Sequence, residues 1–582
     1  MVERSIVNRK KDITFLMVGI LIIILLNYIG SFIFERFDLT SENRYTLSET
    51  SEKLASNLDD IVYVKVYLEG EFPAGFKRLR DETKEMLDEF RAYSSGNIEY
   101  QFINPSESAD EKIRNEIYKQ LYKQGLRPTD LNTKNEDGYS NQIIWPGAIF
   151  TYKGKEHPVQ LLKSQIGASP ESMLNSSIES LEYEIANAIN NLTTINKPSV
   201  AFIEGHGELD KYETASLAES LAEFYTVDRL SLDEKLNSLT ERVIVDSTKA
   251  FVVKIKYNVI IIAKPLDRFL EKDKFIIDQY IMYGGRVVWL IDPVFASMDS
   301  LQKADVSMAV PIDLNLDDQL FTYGVRINTN LIQDLQAAPI PVITGMVGNQ
   351  PKTEMFPWFF FPLLTPANNH PIVNNLNALK GEFVSSIDTI AKKGIRKTGL
   401  LKTSPNSKVT NAPTRISLGM LRFEPDPAQF NQGSQVAAVL LEGKFESVFK
   451  NRITPQIEKA NEINFKAESV INKMVVIADG DVTKNYVNRR TNEYLALGFD
   501  RFTRQEFGNR DFMLNVVGFL CDDSGLMSVR SKKLKIRLLD KTTLKNDKFK
   551  WQLINTILPI GLIVLFGFVH YFDRKKKFTK ID

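Results

Sequence analysis

Two long apolar runs bracket the chain. Ile13 to Phe34 carries no charge over 22 residues and is interrupted only by Thr14, Asn27, Ser31 and two glycines. At about 1.5 Å per residue, a helix of that length covers the ~30 Å of a hydrocarbon core. The run exceeds a signal-peptide apolar region and continues into Glu35-Arg36-Phe37 rather than a small-x-small cleavage site, so it reads as a retained anchor. Gln552 to Phe572 is the second run, with Asn555, Pro559 and His570 as its polar or breaking members. Proline is tolerated in membrane helices because neighbouring groups re-satisfy the freed carbonyl, and Asn555, costly in lipid, is expected to face another helix. Arg4, Arg9, Lys10 and Lys11 precede the first run, while Glu35, Arg36 and Asp38 follow it. The positive-inside rule therefore places the N-terminus in the cytoplasm, and with two spans the C-terminal tail rejoins it.

Between the runs the periodicity alternates between strand and helix. Ser48 is a plausible N-cap for a helix starting at Glu49. Ile61–Leu68 reads as a β-branched strand, Phe76–Tyr93 as an amphipathic helix, Ile98–Ile103 as a second strand and 110–123 as a second helix. Residues 143–155 read as strand, tight turn, strand. This β-α-β-α-β-β order resembles a thioredoxin-like domain over 37–195, with Pro146 where that fold places a cis-proline. No Cys-x-x-Cys is present, which excludes thioredoxin redox chemistry.

Helix Ser177–Leu192 leads to a second α/β region. Ser199–Ile203 is an apolar strand ending in Glu204-Gly-His-Gly-Glu208, followed by a helix over Glu213–Phe224. Tyr257–Ala263 has the character of a strand buried on both faces. Helix Lys272–Tyr283 stops at Gly284-Gly285, and strand Arg286–Ile291 ends at Asp292-Pro293. The pattern returns with Lys473–Ala478, Asp479-Gly-Asp481 and helix Arg510–Leu520, implying a mostly parallel, Rossmann-like sheet built from 197–300 and 471–550. Residues 301–470, richer in Pro and Asn with short alternating strands, read as a β-rich insertion.

Composition narrows the chemistry. The 582 residues carry 73 basic and 73 acidic side chains and no long basic stripe, which argues against a nucleic-acid partner. Cys521 is the one cysteine, so an internal disulfide or multi-Cys metal site is excluded. His157, His206, His370 and His570 lack metal-ligand spacing. Glu204, His206 and Glu208 sit at a strand's carboxyl end, where α/β sheets bind ligands, although Gly-x-Gly falls short of a dinucleotide fingerprint. Asp292, Asp479 and Asp481 also end strands. Neighbouring strands would gather them near Glu204 as an acidic cleft, or they end strands because Asp favours turns. No cofactor or metal is assigned. Cys521 follows an apolar run, as a buried thiol does, and no serine lies in a Gly-x-Ser-x-Gly context. The aromatic run 356–364, including Trp358, Phe359 and Phe360, is too short to span a bilayer. It is either core or an exposed partner patch.

Ordered segments add a resemblance. They are Arg36-Phe-Asp-Leu-Thr40, Arg44-Tyr-Thr-Leu-Ser48, Phe202–Glu208, Ile260–Pro265, Asp278–Pro293, Val476–Asp481 and Gly508–Phe512. Together the set resembles the gliding-motility-associated (GldG-like) ABC transporter auxiliary, or substrate-binding, family of Bacteroidota. The resemblance implies a non-enzymatic inner-membrane subunit with a periplasmic body, beside an ABC permease and a cytoplasmic ATPase, linked to gliding motility and type IX secretion. It also implies that the second α/β region is similar to glutamine-amidotransferase-like domains. The expected organisation is thus cytoplasmic tails at 1–12 and 573–582, membrane helices at 13–34 and 552–572, and two α/β domains between them. With no Gly-x-x-x-x-Gly-Lys-Ser/Thr motif, ATP hydrolysis is assigned to the partner. Solute binding near Glu204–Glu208 is the alternative function, and an amidase-like hydrolase is the third.

Overall fold

The computed structural model describes residues 2–30, 46–135, 138–163, 169–244, 251–304, 306–348, 350–458, 460, 463–531 and 547–578. Arg36–Thr40, Arg44 and the last four positions of the first apolar run lie outside them. The chain divides into two compact units, Met1–Lys532 and Lys533–Asp582.

Helix α1 spans Val2–Gly30 and contains the apolar stretch Ile13–Tyr28. Glu49–Ser56 forms α2, where Ser48 accepts a hydrogen bond from the Ser51 amide, as its capping role requires. The N-terminal body is built on strands β1 (Val62–Val66), β2 (Ile98–Phe102), β3 (Gly147–Tyr152) and β4 (Lys155–Gln160), ordered β2-β1-β3-β4. β1 and β2 are parallel, whereas β3 and β4 run antiparallel to their neighbours. Helices α3 (Ala74–Tyr93) and α4 (Glu111–Lys123) follow β1 and β2, and Asp110 caps α4 by accepting from the Lys112 amide at 2.8 Å. Alternate residues Val62, Val64 and Val66 are buried in one core with Leu79, Leu87 and Phe90 of α3. The long helix α5 (Pro170–Thr193) adds Leu181, Ile185, Ala188, Ile189 and Leu192 to that core.

Pro146 departs from expectation. Its peptide bond is trans, and the cis bond among the described residues is Ala412–Pro413. Trp145 O accepts from Gly147 N at 2.8 Å, a tight turn centred on Pro146, and Pro146 O accepts from Leu161 N at 2.9 Å. The turn meets proline's fixed φ with the ordinary trans bond, so the rarer isomer is not required.

The second body is doubly wound. Strands β5 (Ser199–Glu204), β6 (Thr226–Ser231), β7 (Val259–Ala263), β8 (Arg286–Leu290) and the late β13 (Glu468–Ile477) are parallel, in the order β6-β5-β7-β8-β13. Strand alternation sends Val200 and Phe202 into one core and Ala201 and Ile203 into the other. Helices α6 (Ala215–Ala222) and α8 (Asn509–Cys521) cover the first face, and α7 (Glu271–Met282) covers the second. On α8, Phe512, Met513, Val516, Val517 and Leu520 are all buried, each worth about 1.5–3 kcal/mol of hydrophobic stabilisation.

Segment 301–470 supplies five further antiparallel strands to the same sheet, one of them the short Leu379–Lys380, which pairs beside Leu363 and Leu364. Beyond β13 come β12 (Val436–Glu446), β11 (Ile395–Lys402), β10 (Gln350–Pro366) and β9 (Ala337–Val347). Insertion and α/β frame thus share a continuous hydrogen-bonded ladder.

Candidate functional site at the carboxyl edge of the sheet

In a β6-β5-β7-β8-β13 order, the chain reverses direction of winding between β5 and β7, leaving a crevice at their carboxyl ends. Glu204 ends β5 and Gly205–Glu208 follows it, while Lys264–Asp267 follows β7. The two loops are joined, because His206 O accepts from the amides of Leu266 (2.9 Å) and Asp267 (2.8 Å).

His206 is buried and flanked by two carboxylates. Its Nδ1 lies 3.3 Å from Glu208 Oε1 and its Nε2 lies 3.1 Å from Asp273 Oδ2, at the start of α7. The ring stacks on Phe269 with centroids 3.8 Å apart. Burial opposes the imidazolium, but the hydrogen bonds and charges of Glu208 and Asp273 outweigh it and raise the His206 pKa. Glu204 does not join this group. Arg229 of β6 donates to it, to Thr214 Oγ1 at 2.9 Å and to Leu209 O at 3.0 Å, so Glu204 anchors the edge strand.

The three aspartates do meet, around a lysine. Lys264 Nζ lies 3.1 Å from Asp292 Oδ2 and pairs with Asp481 Oδ2. Lys484 adds a longer pairing with Asp481 at 3.5 Å. Asp292 Oδ1 accepts from the Gly480 amide at 2.6 Å, and Asp479 accepts from the amides of Glu382 (2.9 Å) and Asp481 (2.8 Å). Burial raises the pKa of Asp292 and, further, that of Asp479, where the charges of Asp292 and Asp481 add to it. Asp481 is equally buried, yet Lys264 and then Lys484 hold its carboxyl below the usual range. Lys264 itself is raised: burial opposes its charge, and Asp481 and Asp292 prevail. An ammonium thus occupies the place between Asp292 and Asp481 that a bound cation would take. Among the described residues, no group of three or more His, Cys, Asp or Glu side chains is arranged to hold a metal ion.

Backbone geometry enforces the arrangement. Lys264 adopts a left-handed conformation, φ +56°, uncommon for a residue with a side chain. A Cβ at position 480 would overlap Cβ and Cγ of Lys264, so glycine is required there for close approach. Glu208, Glu213, Lys264, Asp481 and Lys484 line a cavity of about 290 Å³ at this edge. Neither Lys264 nor Asp273 was singled out from the sequence. A lysine directly after the apolar run Ile260–Ala263 was an available signal; an Asp in a helix's first turn is too ordinary to be one.

The other candidate groups fall elsewhere. Trp358, Phe359 and Phe360 are buried at 0%, 9% and 1% relative exposure, so they are core and not an exposed partner patch. Trp358 and Phe360, in the buried second half of β10, pack with Phe361, Phe383 and Ile416 in one core. Cys521 ends α8, and burial pushes its thiol up to about 12.

A doubly wound α/β body with a charge-compensated crevice is a class shared by many activities, and sequence relationship narrows it. Residues 197–516, which span the second body, match the ABC transporter auxiliary family, described as an ABC-type uncharacterized transport system. The match covers more than half of the chain, and the chain belongs to that family. Residues 41–151 match a domain of unknown function (DUF7088). An uncharacterized protein of Borreliella burgdorferi is 22% identical over 580 residues, covering 98% of this chain and 99% of the relative. The solved mmIFT52 N-terminal domain aligns with a TM-score of 0.30 and 12% identity, over 58% of this chain and 100% of that domain. That likeness carries no argument about fold or function.

Proposed function

We propose that the chain is a two-span, non-enzymatic subunit of an ABC transporter complex in a cell inner membrane, with both termini cytoplasmic and its α/β body periplasmic. The spans pack against a permease, and a cytoplasmic ATPase supplies the energy. The observation that carries this reading is the family match over 197–516. The helix Lys548–Lys576, apolar and long enough to cross a membrane, and the shorter apolar stretch Ile13–Tyr28 support the anchors. The β2-β1-β3-β4 order supports a thioredoxin-like N-terminal domain. The five-strand parallel order supports a Rossmann-like, amidotransferase-like second domain. Tagged chain extracted from native membranes is expected to co-purify with a permease and an ATPase. A monodisperse lone chain overturns the proposal.

The narrower link to gliding motility and type IX secretion is supported by the ordered motifs alone, and a deletion strain is expected to lose surface gliding if it holds. Solute binding is the second reading, favoured by the cavity of about 290 Å³ beside Glu208, Lys264 and Asp481. Small polar solutes that raise the melting temperature of the full chain, an effect lost in Lys484→Ala, would support it.

A further inference from the structure

Helix α5 has a polar stripe of unusual composition. Ser180, Asn187 and Asn191, with Thr194 at the C-cap, recur three, four or seven residues apart, away from the apolar side chains buried in the N-terminal core, and Tyr183 packs at the border between the two. A helix face turned to water commonly carries Lys and Glu; this one is dominated by amides and hydroxyls. It lines a cavity of about 410 Å³, whose other wall includes Asn515, Gly518 and Cys521 of α8 and Arg530 beyond it. None of its lining residues is shared with the cavity at the sheet edge.

Two buried donors on this lining, Asn191 Nδ2 and Arg530 Nη1, have no hydrogen-bond partner. Arg530 is nonetheless held in place: Nη2 donates to Asn374 O at 3.1 Å, and the guanidinium sits 5.1 Å from the Tyr183 ring centroid. Unpaired buried donors are costly, and a ligand rich in acceptors removes the cost. The other charges are already engaged. Lys163 pairs with Glu184 at 2.8 Å, Lys197 donates to Glu223 O at 2.7 Å, and Asp522 accepts from the amides of Ser524 (2.9 Å), Gly525 (2.9 Å) and Met527 (2.7 Å). The acidic side chains of the lining, Glu184, Asp511, Asp522 and Asp523, outnumber the basic ones, Lys163, Lys197 and Arg530, which disfavours an anion and leaves Arg530 as a charged donor to a neutral acceptor. Asparagine amides, each carrying a donor and an acceptor group, match a pair of hydroxyls.

We propose that this cavity binds a neutral, hydroxyl-rich ligand of mono- or disaccharide size, gripped by Asn187 and Asn191 on successive turns of α5 and by Arg530. Its volume falls within the range of small-molecule sites, about 300–1,000 Å³. The inference is independent of the transporter reading, because it requires no partner. The test is isothermal titration calorimetry on the full chain in lipid nanodiscs free of sugar-based detergent, with maltose, chitobiose and citrate as probes. Saturable binding of a disaccharide is expected, weakened at least tenfold in Asn191→Leu and in Asn187→Ala, while the melting temperatures of the variants stay near that of the parent. No saturable binding of either disaccharide, binding of citrate alone, or unchanged affinity in both variants overturns it.

Discussion

Lys264 holds a left-handed backbone conformation and is 14% exposed at its side chain, within reach of both Asp292 and Asp481. Removing one partner of a buried ionic cluster leaves the others uncompensated, which typically costs about 3–5 kcal/mol. Lys264→Met is therefore expected to lower the urea-unfolding free energy of the body by about that amount. Adding Asp481→Asn is expected to recover part of it, and an unchanged midpoint in the single variant would place the cluster in water. His206 gives a pH-dependent counterpart. Its folded pKa is raised above the unfolded value of about 6.5, so its stabilising contribution is fully present below about 6.5. That contribution is lost as pH rises through the folded value. Urea midpoints of the parent and His206→Gln, measured between pH 5.5 and pH 8.5, should converge toward high pH. A gap that widens instead would mean that the ring is buried neutral.

At the level of elements, legibility followed burial pattern. β7 and β8 announced themselves as continuous apolar runs because both of their faces are covered. α8 did so through its helical spacing. β6 went unread because an edge strand with exposed Asp228 and half-buried Arg229 lacks that pattern. The continuity of 301–470 with the main sheet was equally hidden, since pairing between β12 and β13 depends on register across some thirty residues, which periodicity does not encode. In the candidate site, the aspartates were legible as strand ends, but their lysine was not, because ion pairing is set by tertiary approach. The aromatic run of β10 left two readings open that only burial separates. Phe360, 1% exposed between Trp358 and Phe383, is expected to cost about 3–5 kcal/mol when truncated to alanine. Chemical denaturation checks this, and a folded Phe360→Ala chain of parental stability would reopen the surface reading.

For the whole molecule, membrane topology decides on which side the body works and which partners it can reach. The helix Lys548–Lys576 is long and apolar enough to cross a bilayer by itself, with exposed Leu562, Val564 and Phe568 suited to lipid or to a neighbouring helix. Ile13–Tyr28 is shorter, and the basic residues ahead of it, including Arg9, Lys10 and Lys11, supply the directional signal. Charge is ambiguous around the apolar run Gln552–Phe572 of the C-terminal helix, since Lys548 and Lys550 precede it while Arg574, Lys575 and Lys576 follow. Direction there comes from parity: if both helices cross, the two tails share a side. A green fluorescent protein fused after residue 582 is then expected to fluoresce, and alkaline phosphatase at the same place to be inactive. Deleting 552–572 with the phosphatase placed after residue 531 should leave it active and still membrane-bound through the first helix. Active phosphatase at the C-terminus of the intact chain would mean that one of the helices does not cross. The permease contact would then have to be made by the body alone, and Asn555 would lose its reason to face a partner helix.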